Sequence, residues 1–169
     1  MINLKDHHLP LSMKKSLELL VNGQGKTVDV DPEEPLLYVL REEFGLSGPK
    51  YGCGLHQCGS CLVLVDGEAS YTCRMPCSAF EGKKILSIEG LAKGNKLHMI
   101  QQAFYEVQAA QCGYCVNGMM IAALELLEGN SNPDDQEIRS ALNRVICRCG
   151  THSRFIKAVK KAASLTSIP

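Results

Sequence analysis

Eight cysteines in two spaced sets constrain this chain more than any other feature. Cys53, Cys58, Cys61 and Cys73 follow the spacing C-x4-C-x2-C-x11-C. Cys112, Cys115, Cys147 and Cys149 follow C-x2-C-x31-C-x-C. The first spacing is the plant-type pattern for holding a [2Fe–2S] cluster. Soft thiolates suit iron; three come from one loop, and Cys73 closes the site from the next strand region. Gly52, Gly54 and Gly59 are interleaved, so the loop can turn its amides toward the sulfurs. A zinc site or free core cysteines are the competing readings. The second set is less specific by spacing, which also suits a four-thiolate zinc site. Its C-x2-C also resembles a thioredoxin-like redox signal, but no βαβ pattern surrounds it. Both of its pairs stand at predicted helix starts, where unpaired amides favour thiolate charge.

Disulfides are disfavoured by the odd total of nine cysteines, by the length of 169 residues, and by the tight Cys147-Arg148-Cys149 pair. The first residues, MINLKDHHLPLSMKK, lack the apolar core of a secretory signal. They read as a tail or strap, with His7 and His8 solvated, and a cytoplasmic location is expected, with export on a partner's signal as the alternative. The 18 basic residues balance the 18 acidic ones, which argues against nucleic acid as a partner. No apolar run is long enough for a membrane span. The length allows one domain or two small ones. Two such small cores would gain from metal staples, because metal-binding free energy is also folding free energy.

Residues 16–30 read as a hairpin: Leu17, Leu19 and Val21 alternate, Asn22-Gly23-Gln24-Gly25 turns, and Val28 and Val30 return. A helix is expected over 35–44, a strand over 61–66, and a turn at Asp66-Gly67. A return strand over 69–73 and a last short strand near 85–88 complete a small mixed sheet. Helical spacing then takes over, across 97–110 and 116–128 with Gly129 as a stop. Asp134 and Glu137 have the offset of a capping box for a helix running to about Ile146, and Thr151 can cap a fourth. The fold class is therefore α+β. A tail over 1–15 leads to a cluster-binding sheet domain over 16–90 and a helical cluster-binding domain over 91–169.

The stretches GCGLHQCGSC, QCGYC and CRC, taken with Cys73, resemble the small iron–sulfur subunit of the molybdenum hydroxylases: xanthine oxidase, aldehyde oxidoreductase and carbon monoxide dehydrogenase. The likeness spans roughly residues 16–165. It implies a β-grasp, ferredoxin-like domain followed by a four-helix bundle, with one [2Fe–2S] cluster in each. Cys53, Cys58, Cys61 and Cys73 would hold the cluster that faces the electron acceptor. Cys112, Cys115, Cys147 and Cys149 would hold the one nearer a molybdopterin carried mainly by a large partner subunit. Gln111 and Cys149 are the implied pterin contacts. A flavin (FAD) subunit or a cytochrome c would receive the electrons. Many members have Thr-Pro-Gly after CGYC and Thr-Gly after CRC. Here Val116-Asn117-Gly118 and Gly150-Thr151-His152 stand there, closer to the isoquinoline-oxidoreductase-like branch. The expected activity is that of an electron-transfer subunit in a hydroxylase of aldehydes or N-heteroaromatics, with no substrate site on this chain. A stand-alone two-cluster ferredoxin, or a ferredoxin domain joined to a zinc-stabilised module, are the alternatives.

Other residues have plainer readings. Cys77 is expected as a buried free thiol and His56 as a loop residue. Arg144, Arg148, Arg154, Lys157, Lys160 and Lys161 form either a docking face for an acidic partner or a solvated helix side. Met99, Met119 and Met120 read as core filler.

Overall fold

The structure, a computed structural model, describes residues 14–166. The tail reading and the His7-His8 pair fall outside the described residues. Strands β1 (Lys15–Val21) and β2 (Gln24–Val30) form the expected antiparallel hairpin. Val21 pairs with Gln24, so Asn22-Gly23 alone makes the turn. Both have positive φ, 52° and 78°, the type I′ geometry that matches strand twist. Helix α1 (Leu36–Glu42) starts after Pro35. A long loop then leads to β3 (Leu62–Val65) and β4 (Glu68–Tyr71), joined through Asp66-Gly67. β5 (Lys84–Leu86) runs parallel to β1 and antiparallel to β3. The sheet order is β2-β1-β5-β3-β4. β5 stops at Leu86 because Ile88–Leu91 turns into a short 3₁₀ segment.

β3 reads Leu-Val-Leu-Val and is buried throughout, because both its faces are covered. Val63 and Val65 point to the α1 side, with Leu17, Leu19, Leu36, Leu40 and Ile85. Leu62 and Leu64 point the other way, into a core built with the helices. Those helices are α2 (Met99–Glu106), α3 (Val116–Gly129), α4 (Asp135–Leu142) and α5 (His152–Thr166). α2 ends earlier than its apolar pattern suggests, and Gln108 follows at φ 52°. α4 opens with the expected box: the Glu137 amide donates to Asp134 Oδ1 and the Asp134 amide to Glu137 Oε2, both at 2.8 Å. It closes at Leu142, short of Ile146, and the freed residues lead into Cys147. α3 is buried along most of its length, with Met119 to Leu124 all inside. The result is the α+β architecture read from the sequence.

Candidate metal centres

The loop between α1 and β3 wraps its own sulfurs. Cys53 Sγ accepts the amides of Leu55, Gln57 and Cys58, each at 3.3 Å, and the Cys53 amide donates to Cys58 Sγ at 3.3 Å. Gly52 must lack a side chain, since a Cβ there would stand 2.6 Å from Cys58 Sγ. Burial pushes the Cys53 thiol up, but the amides of Gln57, Leu55 and Cys58 outweigh it and bring the group down to about 7. Cys61 and Cys73 are buried with Leu37. Burial pushes Cys61 up to about 11, against the amides of Thr72 and Cys73 and with the Cys73 thiol adding to the rise.

The second set is built from two helix approaches. Cys112 is exposed, and the Tyr114 amide and the Cys149 thiol hold it below the usual thiol range. Cys115 directly precedes α3; burial, with the Cys147 thiol beside it, pushes it up to about 12. Burial also acts to raise Cys147. The Thr151 hydroxyl at 3.3 Å, the Thr151 amide, the Cys115 thiol and the Cys149 amide more than offset it, giving about 7.

Within each set neighbouring sulfurs interact: Cys53 with Cys58, Cys61 with Cys73, Cys112 with Cys149 and Cys147, and Cys115 with Cys147 and Cys112. Among the described residues no three His, Cys, Asp or Glu side chains converge as a single ion would need. A two-iron cluster spreads its four thiolates over two irons, so each set of four fits it without converging on one point. A tetrahedral zinc asks for one close quartet. Amide donors to sulfur are also what a cluster of net negative charge requires.

The two sets are close because the first loop lies on the helices. The Ile146 amide donates to Cys58 O at 3.0 Å, joining a residue of one set to the neighbour of Cys147. Tyr114, between Cys112 and Cys115, donates from its hydroxyl to Tyr51 O. Asn117 Nδ2 donates to Ser60 O at 3.2 Å and Leu62 O at 2.9 Å. Gly59, at φ 72°, faces Arg144 O, where a Cβ would come within 2.6 Å. Farther out, Arg144 pairs with Glu125 at 2.7 Å. Together they hold the edge strand β4 at one residue. Glu125 Oε1 accepts the Ala69 amide at 2.7 Å, and Arg144 Nη2 donates to Ala69 O at 3.2 Å. The Arg144 guanidinium also lies 5.7 Å from the Tyr71 ring centroid, and His56 stacks on that ring at 5.5 Å.

Gln111 is exposed beside Cys112, and Cys149 is half-buried. Cys77 lies in the sheet core, its Sγ 3.2 Å from Asp31 O. His56 stacks on Tyr71, with φ 57° and a buried Nε2 that has no partner among the described residues. Part of the basic run is engaged within the chain. Arg144 binds Glu125, Lys160 pairs with Asp135, Lys161 with Glu106, and Arg154 reaches Gln108 O. Met119 and Met120 are core residues. Sequence reading missed Asn117 as a joint residue. Its signal was a polar side chain in the first turn of an otherwise apolar helix, where a buried amide needs partners.

Comparison with known proteins covers nearly the whole chain. Residues 19–86 match the family described as 2Fe-2S iron-sulfur cluster binding domain, and residues 87–160 match a [2Fe-2S] binding domain. The chain is 45% identical to a nicotinate dehydrogenase subunit of Pseudomonas putida strain KT2440, over 93% of this chain and 100% of that one. It is 41% identical to the alpha subunit of isoquinoline 1-oxidoreductase from Brevundimonas diminuta, over 87% and 97%. Among solved structures, quinoline 2-oxidoreductase from Pseudomonas putida 86 superposes with a TM-score of 0.86 at 34% identity, over 90% of this chain and 96% of that one.

Proposed function

The chain belongs to the small [2Fe–2S] subunits of the molybdenum hydroxylases, and on that premise we propose how its residues carry electrons for a larger complex. It is an electron-transfer subunit of an oxidoreductase with two [2Fe–2S] clusters. In our reading Cys53, Cys58, Cys61 and Cys73 hold one cluster, and Cys112, Cys115, Cys147 and Cys149 the other. Bound there, each cluster accepts and releases one electron at a time. The chain's own contribution is to supply thiolates, to aim amides at sulfur, and to set the two sites either side of the Ile146–Cys58 hydrogen bond. That hydrogen bond is the observation that carries the reading, since it leaves only a short covalent run from each sulfur to the contact.

Gln111 and Cys149 face a molybdopterin held by a large partner subunit, which the exposure of Gln111 and Cys112 supports. The other side delivers electrons to a flavin subunit or a cytochrome c. The substrate of the complex is an N-heteroaromatic ring, in line with the nicotinate, isoquinoline and quinoline named for the relatives. Among the described residues no helix is long and apolar enough to cross a membrane. A cytoplasmic setting completes the proposal.

Anaerobic purification tests the site assignment. The holoprotein should carry about four irons and four sulfides per chain and show two distinct [2Fe–2S] EPR signals on reduction. Cys61→Ser should abolish one signal and Cys115→Ser the other. Loss of both signals in either variant, or zinc in place of half the iron, would reject it. Co-purification from the native host should bring down a molybdopterin-binding chain.

A further inference from the structure

We infer that Asn117 is a positioning residue that fixes the separation between the two cysteine sets. The inference rests on the ligand assignment just proposed. Asn117 is 1% exposed and stands two residues after Cys115, in the first turn of α3. Its amide directs both hydrogens to Ser60 O and Leu62 O, the carbonyls on either side of Cys61. Because both partners are carbonyls, only the nitrogen end can face them. The Cys61 carbonyl between them accepts the Thr72 hydroxyl at 2.8 Å, and Ser60 O also receives the Lys50 amide at 2.9 Å. Three consecutive carbonyls at one ligand are thereby held, two of them by a side chain from the other set's helix.

The backbone approach agrees. A Cβ on Gly118 would collide with Gly59 O, so α3 lies directly on the segment that carries Cys58 and Cys61. Asn117 Oδ1 is buried and lacks a partner among the described residues. Keeping an amide there at that cost points to a role for its Nδ2 bonds beyond filling space. Tunnelling between redox centres falls steeply with distance, so a tie between Cys61 and Cys115 acts on the rate at which one centre reduces the other.

The test uses the full-length holoprotein, anaerobically purified, as wild type, Asn117→Leu and Asn117→Ser. Leucine matches the volume without donors, and serine keeps a shorter donor. Iron content and the two separate EPR signals in wild type first establish the ligand assignment; their absence there sinks that assignment and not this inference. The reading of Asn117 comes from the magnetic interaction between the two reduced clusters at low temperature. It is measured as signal splitting or as relaxation enhancement of one signal by the other. The dipolar part falls with the inverse cube of separation. Asn117→Leu should retain four irons and both sets of g-values but show a weakened, broadened interaction, with Asn117→Ser between it and wild type. An unchanged interaction in Asn117→Leu overturns the inference. So does loss of a cluster in both variants, because a residue that only positions is dispensable for holding the irons.

Discussion

At the scale of single residues, local chemistry decides what each position tolerates. Gly59 combines φ 72° with the backbone of Arg144 at its open face, so neither strain nor clash can relax through a side chain. Gly59→Ala should cost about 1–3 kcal/mol, read as a lowered thermal midpoint. An unchanged midpoint would mean the loop does not rest on the helices as described. His98 offers a pH test. Its Nδ1 accepts the Ile100 amide at 3.4 Å, which requires the neutral ring. Burial lowers its pKa below 6.5, with Glu128 opposing and Lys93 assisting. A histidine harder to protonate when folded stabilises fully above its unfolded pKa. That stability is lost as pH falls below about 6.5, where the unfolded chain takes up the proton first. The thermal midpoint should therefore drop from pH 7.5 to 5.5, and His98→Asn, which keeps a cap acceptor, should flatten that slope.

At the scale of elements, the ends of helices and the edge of the sheet carry the energy that can be tested. The Asp134 box satisfies two amides at the start of α4, so Asp134→Ala should destabilise by about 1 kcal/mol in chemical denaturation. β4 is an edge strand, and its Ala69 amide and carbonyl are met by the Glu125–Arg144 pair much as a neighbouring strand would meet them. Both side chains are about a third exposed, which puts the pair near the low end of such contacts. Arg144→Met should cost about 1–2 kcal/mol. In a double-mutant cycle with Glu125→Gln, a coupling near zero would show that the two do not act together on β4. Helix and hairpin identity was legible from sequence because it rests on local signals: Asn22-Gly23 for the turn, Asp134 and Glu137 for the cap. Helix ends were less legible. α2 stops before its apolar pattern does because the chain must turn toward Cys112, and α4 stops early because residues 143–146 feed Cys147.

At the scale of the whole molecule, one core crosses the boundary between the two halves. Leu62, Leu64 and Ala69 of the sheet pack with Ile100, Met119 and the other helix residues. A fragment of residues 14–90 would leave that face of the sheet open to water. It should fail to give a dispersed NMR spectrum, and a well-folded monomer would refute the shared core. What the sequence alone determined was local: the spacing of the cysteines along the chain, and which stretches become helix or strand. Tertiary structure alone decided how those pieces meet. The approach of Cys112 and Cys115 to Cys147 and Cys149, the Cys58–Ile146 contact and the tie from Asn117 to the carbonyls around Cys61 join residues far apart in the chain. No local pattern specifies such contacts. They exist because burying both faces of β3 forces the cysteine loop against the start of α3, and only there do a bare glycine and a buried amide acquire their purpose.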